Sequence, residues 1–336
     1  MWRLVSIGLP SPSLNPSYLA IMQRIVFLDR STLIANLRRP DFEHEWTEYD
    51  VTAPAQVVER LKEATIAITN KIPLRADSLS ELPGLKFIAV AATGVDIVDL
   101  DYCRRRSLPV SNVRNYARNS VPEHVFMLIL ALRRNLLSYR EDLERGLWQQ
   151  ASGFCLLTHT IRDLQASTLG IIGYGALGRA VEKLALAFGM RVLISEHKSA
   201  QTVRVGRTSF EEVLRTSDII TLHCPLNDET RGLIDHEELE MMRRDAILIN
   251  TARGGLVDEN SLIEALRSGS IAGAGFDVLT REPPREGNPL LELHLPNFIL
   301  TPHIAWASRE AMQTLADQLV ENLEAFASGE PRNLVT

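Results

Sequence analysis

The chain has 336 residues, 45% apolar and 23% charged, an ordinary balance for a soluble globular protein with length for about two domains. Its net charge of −6 offers no electrostatic reason to expect nucleic acid or an anionic membrane as partner. Cys103, Cys155 and Cys224 are odd in number and lack a C-x-x-C, which argues against a disulfide framework or a zinc site and for a reducing compartment, the cytoplasm.

Residues 1–21 hold a short apolar run, Met1 to Leu9, and then Pro10, Pro12 and Pro16 in a Ser/Asn-rich stretch. The run is too short for a signal peptide and no A-x-A-like site follows, so a disordered extension is expected, with folding beginning near Met22. Gln23 to Leu28, Thr65 to Thr69 and Lys86 to Ala91 read as strands, separated by helical stretches such as Ala55 to Lys62. Strands alternating with helices predict βα units and a parallel sheet. Ala92-Thr93-Gly94-Val95-Asp96 then turns straight after a buried strand. Ligands in open α/β sheets sit beyond the carboxyl ends of strands, which makes the N–H groups of Thr93 and Gly94 candidates for receiving a carboxylate. An ordinary strand-to-helix turn accounts for this stretch equally well.

Ser120 reads as the N-cap of a long helix, Glu123 completes a capping box, and Pro122 fits the first turn. From Val125 to Leu132 the helix is apolar nearly all round, which predicts burial, between two domains. The run stops at Arg133-Arg134 and is too short to span a bilayer. Gln149 to Arg162, of mixed polarity, reads as a connecting arm.

The next stretch carries the strongest motif. Leu169 to Ile172 is a short apolar run, glycines follow at 173, 175 and 178, and Val181, Leu184 and Ala185 recur at helical spacing. Strand, tight turn and helix are the setting in which G-x-G-x-x-G binds a dinucleotide. Gly173 permits the turn, Gly175 lets bare backbone approach a diphosphate, and Gly178 lets the helix pack on the strand. The diphosphate faces the free N–H groups of that helix. A second strand, Arg191 to Ser195, ends at Glu196, 18 positions past Gly178, where an acid takes the adenosine ribose hydroxyls. Glu196 repels a 2′-phosphate and so favours NAD; with His197 and Lys198 beside it, NADP is disfavoured but not barred. Further strands are expected at Asp218 to Leu222, Ala246 to Asn250, Ile271 to Phe276 and Phe298 to Thr301. Helices are expected from Ser209 to Leu214, Glu237 to Met242 and Ser261 to Ser268. Ser308 to Ala327 carries Leu315, Leu319, Val320, Leu323 and Phe326 on one face and reads as an amphipathic helix returning to the first domain. The expected domains are 22–118 with 303–336, and 119–302.

Three polar residues follow strand ends: Arg253, Asp277 with Glu282 just after it, and His303. Hydride transfer to a keto acid needs a cation for the carboxylate and developing oxyanion, a proton donor, and a partner that holds that donor protonated. Arg, His and a carboxylate fit those roles.

The chain closely resembles the D-isomer-specific 2-hydroxyacid dehydrogenases, in particular their glycerate dehydrogenase/hydroxypyruvate reductase-like members, over residues 22–334. The resemblance is carried by Ala92-Thr-Gly-Val-Asp-Ile-Val-Asp99, Gly173-Tyr-Gly-Ala-Leu-Gly178, His223-Cys-Pro-Leu226, Asn250-Thr-Ala-Arg-Gly-Gly-Leu-Val-Asp258, Gly275-Phe-Asp-Val278 and Thr301-Pro-His-Ile-Ala305. It implies two doubly wound parallel-sheet domains, a Rossmann NAD-binding domain and a flavodoxin-like substrate domain, with a cleft between them. It implies that Arg253 binds the substrate carboxylate and carbonyl, that His303 exchanges the proton, and that Glu282 pairs with His303 and raises its pKa. Thr93 and Gly94 receive the substrate carboxylate, and Asp277 holds the nicotinamide carboxamide. Ala176 and Leu177 touch the diphosphate, and Val121, Cys224, Pro225, Thr230, Thr251 and Ala252 line the cofactor cleft, with no metal involved. Members are usually homodimers, which suits the arm at 149–162. Glu282 argues against the formate dehydrogenase branch, which has glutamine there, and the chain stops at Thr336 without the tail of many phosphoglycerate dehydrogenases. Trp306 stands where a small residue is frequent; it is expected to narrow the pocket and favour small acids such as hydroxypyruvate or glyoxylate. Phosphoglycerate dehydrogenase-like activity and a non-catalytic, corepressor-like NAD sensor are the alternatives.

Overall fold

The computed structural model describes residues 22–336; the extension expected at 1–21 lies outside the described residues. The chain divides into two compact units, one running to Tyr116 and resuming at Arg309–Thr336, the other Ala117–Ser308. The boundaries expected after 118 and 302 fall instead after 116 and 308. Residues 303–308 stay with the second unit because Asp277, inside it, hydrogen-bonds the backbone of this turn: its carbonyl accepts from His303 N, and its carboxylate accepts from Ile304 N and Ala305 N.

The first unit is a five-stranded parallel sheet of β1 (Gln23–Phe27), β2 (His44–Glu48), β3 (Ile66–Thr69), β4 (Phe87–Val90) and β5 (Val110–Ser111). Its order, β2-β1-β3-β4-β5, is the flavodoxin-like one. Strands β3 and β4 are buried throughout, which is why they read as continuous apolar runs. Strand β2 carries His44, Glu45 and Glu48 at the sheet edge, and β5 has two residues, so neither announces itself by an apolar run. Helix Arg309–Ala327 buries Leu315, Leu319, Val320, Leu323 and Phe326, and Phe326 stacks on Phe87 of β4 at 4.3 Å.

The second unit is a six-stranded parallel sheet of β6 (Thr168–Ile172), β7 (Arg191–Ile194), β8 (Ile219–Leu222), β9 (Ile247–Asn250), β10 (Gly273–Phe276) and β11 (Phe298–Leu300). The order is β11-β10-β9-β8-β6-β7. A parallel bridge between Ser195 and Thr208 extends it beyond β7, so a Rossmann arrangement is present with its third strand reduced to a single pair. The direction of winding reverses between β6 and β8, the topological switch point where such sheets bind ligands.

A long helix, Ser120–Arg133, covers β9, β10 and β11. Two glycines of β10 allow that. A Cβ on Gly275 would lie 3.0 Å from Leu128 Cβ, and one on Gly273 would lie 3.3 Å from Leu132 Cδ2 and 2.7 Å from the Asn297 carbonyl oxygen. The expected cap is corrected: Asn119 holds the N-cap position, and Ser120 is the first helical residue. The Ser120 hydroxyl donates to the Trp306 carbonyl at 3.3 Å, a tertiary acceptor in place of the local cap. By contrast, Ser209 caps helix Phe210–Thr216, its side chain accepting from Glu212 N.

Candidate active site

The dinucleotide turn is built from what its glycines omit. Gly173 has φ +94°, and a Cβ there would run into Cys224 N and the His223 carbonyl carbon at the end of β8, with Cys224 Cα 2.8 Å away. A Cβ on Gly178 would meet the Gly173 carbonyl oxygen, whereas one on Gly175 meets nothing within 4 Å. The outer two glycines therefore pack strand, turn and helix together, and the middle one leaves an open approach. Gly175 is the N-cap of helix Ala176–Ala187, so Ala176 and Leu177 present N–H groups at the helix's positive end. Across the switch point Cys224 and Ala252 are half-buried, the Thr230 hydroxyl donates to the Pro225 carbonyl, and Val121 is buried on the long helix. Thr251 is buried, and its hydroxyl finds no partner among the described residues. A bare turn, free helix N–H groups and an orphaned buried hydroxyl at one sheet edge are what a dinucleotide needs.

Glu196, at the end of β7, is 4% exposed, and its carboxylate is already engaged. Oε1 accepts from His197 N at 3.0 Å and Arg204 Nη2 at 2.5 Å; Oε2 accepts from Arg204 Nε at 2.7 Å and Arg204 N at 3.2 Å. The Arg204 guanidinium holds the carboxyl far below the usual carboxylate range. All four acceptor directions are filled, so a ribose hydroxyl reaches this acid only by displacing Arg204. Glu196, expected to repel a 2′-phosphate, thus stands in an ion pair with an arginine whose side chain is 58% exposed.

Three adjacent strands bring up the polar residues. Arg253 follows β9, half-buried, with Nη1 donating to the Ala252 carbonyl at 2.7 Å. Gly254 lets this turn lie against the Leu279–Thr280 backbone after β10, where any Cβ would collide. Glu282, in the loop after β10, accepts from Leu279 N through Oε1 at 2.8 Å. Its Oε2 lies 2.5 Å from Nδ1 of His303, which follows β11. His303 has φ +57°, a left-handed conformation unusual for a non-glycine residue and maintained by the bonds to Asp277. The Trp306 indole Nε1–H donates to the His303 carbonyl at 3.1 Å. Asp277 is fully buried, and its carboxylate accepts from the Thr301 hydroxyl at 2.5 Å, Ile304 N at 2.9 Å and Ala305 N at 2.8 Å. A carboxylate has about four acceptor directions, so one remains open.

In the first unit, the Thr93 hydroxyl donates to the Val113 carbonyl at 2.7 Å, and Asn112 Nδ2 donates to the Thr93 carbonyl at 2.7 Å. The backbone N–H groups of Thr93 and Gly94 take no partner among the described residues. The residue that sequence reasoning passed over is His124, on the long helix, with Nε2 2.9 Å from the Thr301 hydroxyl oxygen. Among the described residues no cluster of three His, Cys, Asp or Glu is placed to hold a metal, and no helix is long and apolar enough to cross a membrane.

A Rossmann-type sheet with a glycine turn at its switch point, beside a set of Arg, Glu and His at neighbouring strand ends, defines a dinucleotide-dependent oxidoreductase. The family model described as D-isomer specific 2-hydroxyacid dehydrogenase, NAD binding domain, matches residues 126–305. The glycerate dehydrogenase of Methylorubrum extorquens is 52% identical over 314 residues, 93% of this chain and 99% of that one. Among solved structures, an acyclic imino acid reductase in complex with NADPH and D-Arg has TM-score 0.80 at 28% identity, covering 94% of this chain and 100% of that one. D-lactate dehydrogenase from Aquifex aeolicus, complexed with NAD and lactic acid, has TM-score 0.78 at 28% identity, covering 93% and 99%. The chain belongs to the D-isomer-specific 2-hydroxyacid dehydrogenase family.

Proposed function

We propose that the protein reduces a small 2-keto acid, hydroxypyruvate or glyoxylate, to its D-2-hydroxy acid, and that the reverse reaction oxidises D-glycerate. The observation that carries this reading is the His303–Glu282 pair at 2.5 Å, set beside Asp277 at the carboxyl ends of β10 and β11. The bound nicotinamide supplies the hydride. As imidazolium, His303 donates Nδ1–H to Glu282 and leaves Nε2–H for the substrate's keto oxygen. Glu282 is itself oriented by Leu279 N–H, so the imidazole is held in one ring orientation. Arg253 supplies the cation for the carboxylate and developing oxyanion. In the first unit, Thr93 and Gly94 keep backbone N–H groups able to receive a carboxylate. Trp306, tethered to the His303 carbonyl, narrows the space beyond C2.

NADH is the favoured reductant, and NADPH is accepted because Arg204 offsets the charge of Glu196. The 52% identical relative carries the name glycerate dehydrogenase, and the two structural neighbours hold NAD in one case and NADPH in the other, which fits this assignment. The protein works as a cytoplasmic homodimer. Phe154 and Leu157 of the 149–162 arm, 94% and 80% exposed, are the apolar surface offered to a second copy.

The test is NADH absorbance with hydroxypyruvate, glyoxylate and pyruvate. Turnover is expected, faster on the first two, and His303→Ala should lower kcat by roughly 10²–10⁴-fold, the usual worth of a positioned acid–base group. Tight NADH binding with no turnover on a broad keto-acid panel would overturn the reading.

A further inference from the structure

We propose that His124 is a positioning residue that locks the His303 turn through a relay of the Thr301 hydroxyl and the Asp277 carboxylate. The inference rests on the reading of His303 as proton donor. The hydrogen count fixes the direction of the relay. Thr301 has one hydroxyl proton and gives it to Asp277 Oδ1 at 2.5 Å. Its oxygen therefore faces His124 with a lone pair, and His124 Nε2, 2.9 Å away, carries the hydrogen. Asp277 Oδ1 lies 3.7 Å from the same Nε2, too far for a second direct bond. The carboxylate passes the constraint on, since Ile304 N and Ala305 N, immediately after His303, both donate to it.

Burial makes this arrangement stiff. The His124 side chain is 11% exposed and that of Asp277 1%. Burial pushes the His124 imidazole below its ordinary value, against a smaller opposing pull from Asp277, so it serves as a neutral N–H donor. Its position follows from β10: Gly275 lets the helix close on the sheet at Leu128, and His124 lies one helical turn earlier. Without the N–H, the Thr301 hydroxyl loses the donor that fixes its orientation and can turn toward its second acceptor, the Phe276 carbonyl at 3.3 Å; Asp277 is then held less tightly, and a left-handed turn that costs backbone strain loses one of its restraints.

The variants are His124→Phe, which keeps a ring and removes the N–H, and His124→Gln, which restores an N–H near the Nε2 position. Thr301→Val removes the middle of the relay. The expectation for His124→Phe is a loss in kcat of roughly 10–100-fold, as for a catalytic group displaced by a fraction of an ångström to an ångström, with the melting transition retained. His124→Gln should recover kcat to within about threefold of wild type, and the double variant His124→Phe/Thr301→Val should be no worse than the poorer single one, because both break one relay. A kcat for His124→Phe near wild type, or a His124→Gln as poor as His124→Phe, overturns the inference. If no keto acid is turned over by the wild type, the proposed function fails instead. The relay is then read from the ¹⁵N-histidine spectrum, in which the His303 resonance should shift in His124→Phe and return in His124→Gln; an unmoved resonance overturns it.

Discussion

Two alanine substitutions in one turn separate packing from cofactor approach. At Gly173 the added methyl meets backbone atoms, Cys224 N and the His223 carbonyl carbon, with Cys224 Cα at 2.8 Å, so no side-chain rotation relieves it. Overpacking of this kind costs about 1–3 kcal/mol. Holding an L-residue at φ +94° adds about 1–2 kcal/mol. The total, about 2–5 kcal/mol, corresponds to a fall of roughly 5–15 °C in Tm for a unit of this size. At Gly175 the same methyl has no heavy atom within 4 Å, and φ is −84°, so Tm should stay within about 1–2 °C of wild type. There the methyl instead occupies the space through which a diphosphate nears the helix N-terminus, and NADH affinity should fall by at least about tenfold. Calorimetry and NADH fluorescence titration give the two readouts. NADH binding as tight as wild type in Gly175→Ala, or wild-type melting in Gly173→Ala, would contradict this division of roles between the two glycines.

Two further outcomes follow from charged and titrating groups. Arg204→Ala should unmask the Glu196 carboxylate, weakening NADPH binding by roughly tenfold relative to NADH, the usual worth of one lost charge-assisted hydrogen bond; equal changes in both Kd values would count against it. His223, with Nε2 2.9 Å from the Thr221 hydroxyl, is pushed down by burial to about 4, below the unfolded-chain value of about 6.5. Between those values the unfolded state binds the proton and the folded state does not, so this stabilisation is full above pH about 6.5 and is lost on acidification toward about 4. The loss between pH 7 and pH 5 should reach about 2 kcal/mol by denaturant titration, and His223→Gln should flatten that slope; an unchanged slope rules His223 out as its source.

Most strands that are buried on both faces were legible in the sequence, because a parallel sheet covered by helices demands unbroken apolar runs. Polar β2 and two-residue β5 were not, since an edge or minimal strand is defined by its partner's hydrogen bonds and not by its own side chains. Residues Arg253, Glu282 and His303 could be named because strand ends in such folds gather at one edge, a consequence of connectivity that sequence order already contains. His124 escaped notice: an imidazole in an apolar helix looks like core filling until Thr301, 177 positions away, is seen beside it. Ser120 looked like a local cap, and a tertiary carbonyl drew its hydroxyl elsewhere.

By itself the sequence determined the βα alternation, the glycine turn and the chemical types at the strand ends, because these depend on periodicity and on the conformations a residue type permits. Tertiary structure alone decided which polar groups are already spoken for. Arg204 fills the acid at the end of β7, and Asp277 spends three acceptor directions on the turn bearing His303. Hydrogen bonds are short-ranged and directional, so who satisfies a buried carboxylate is settled only when distant segments come within about 3 Å of it.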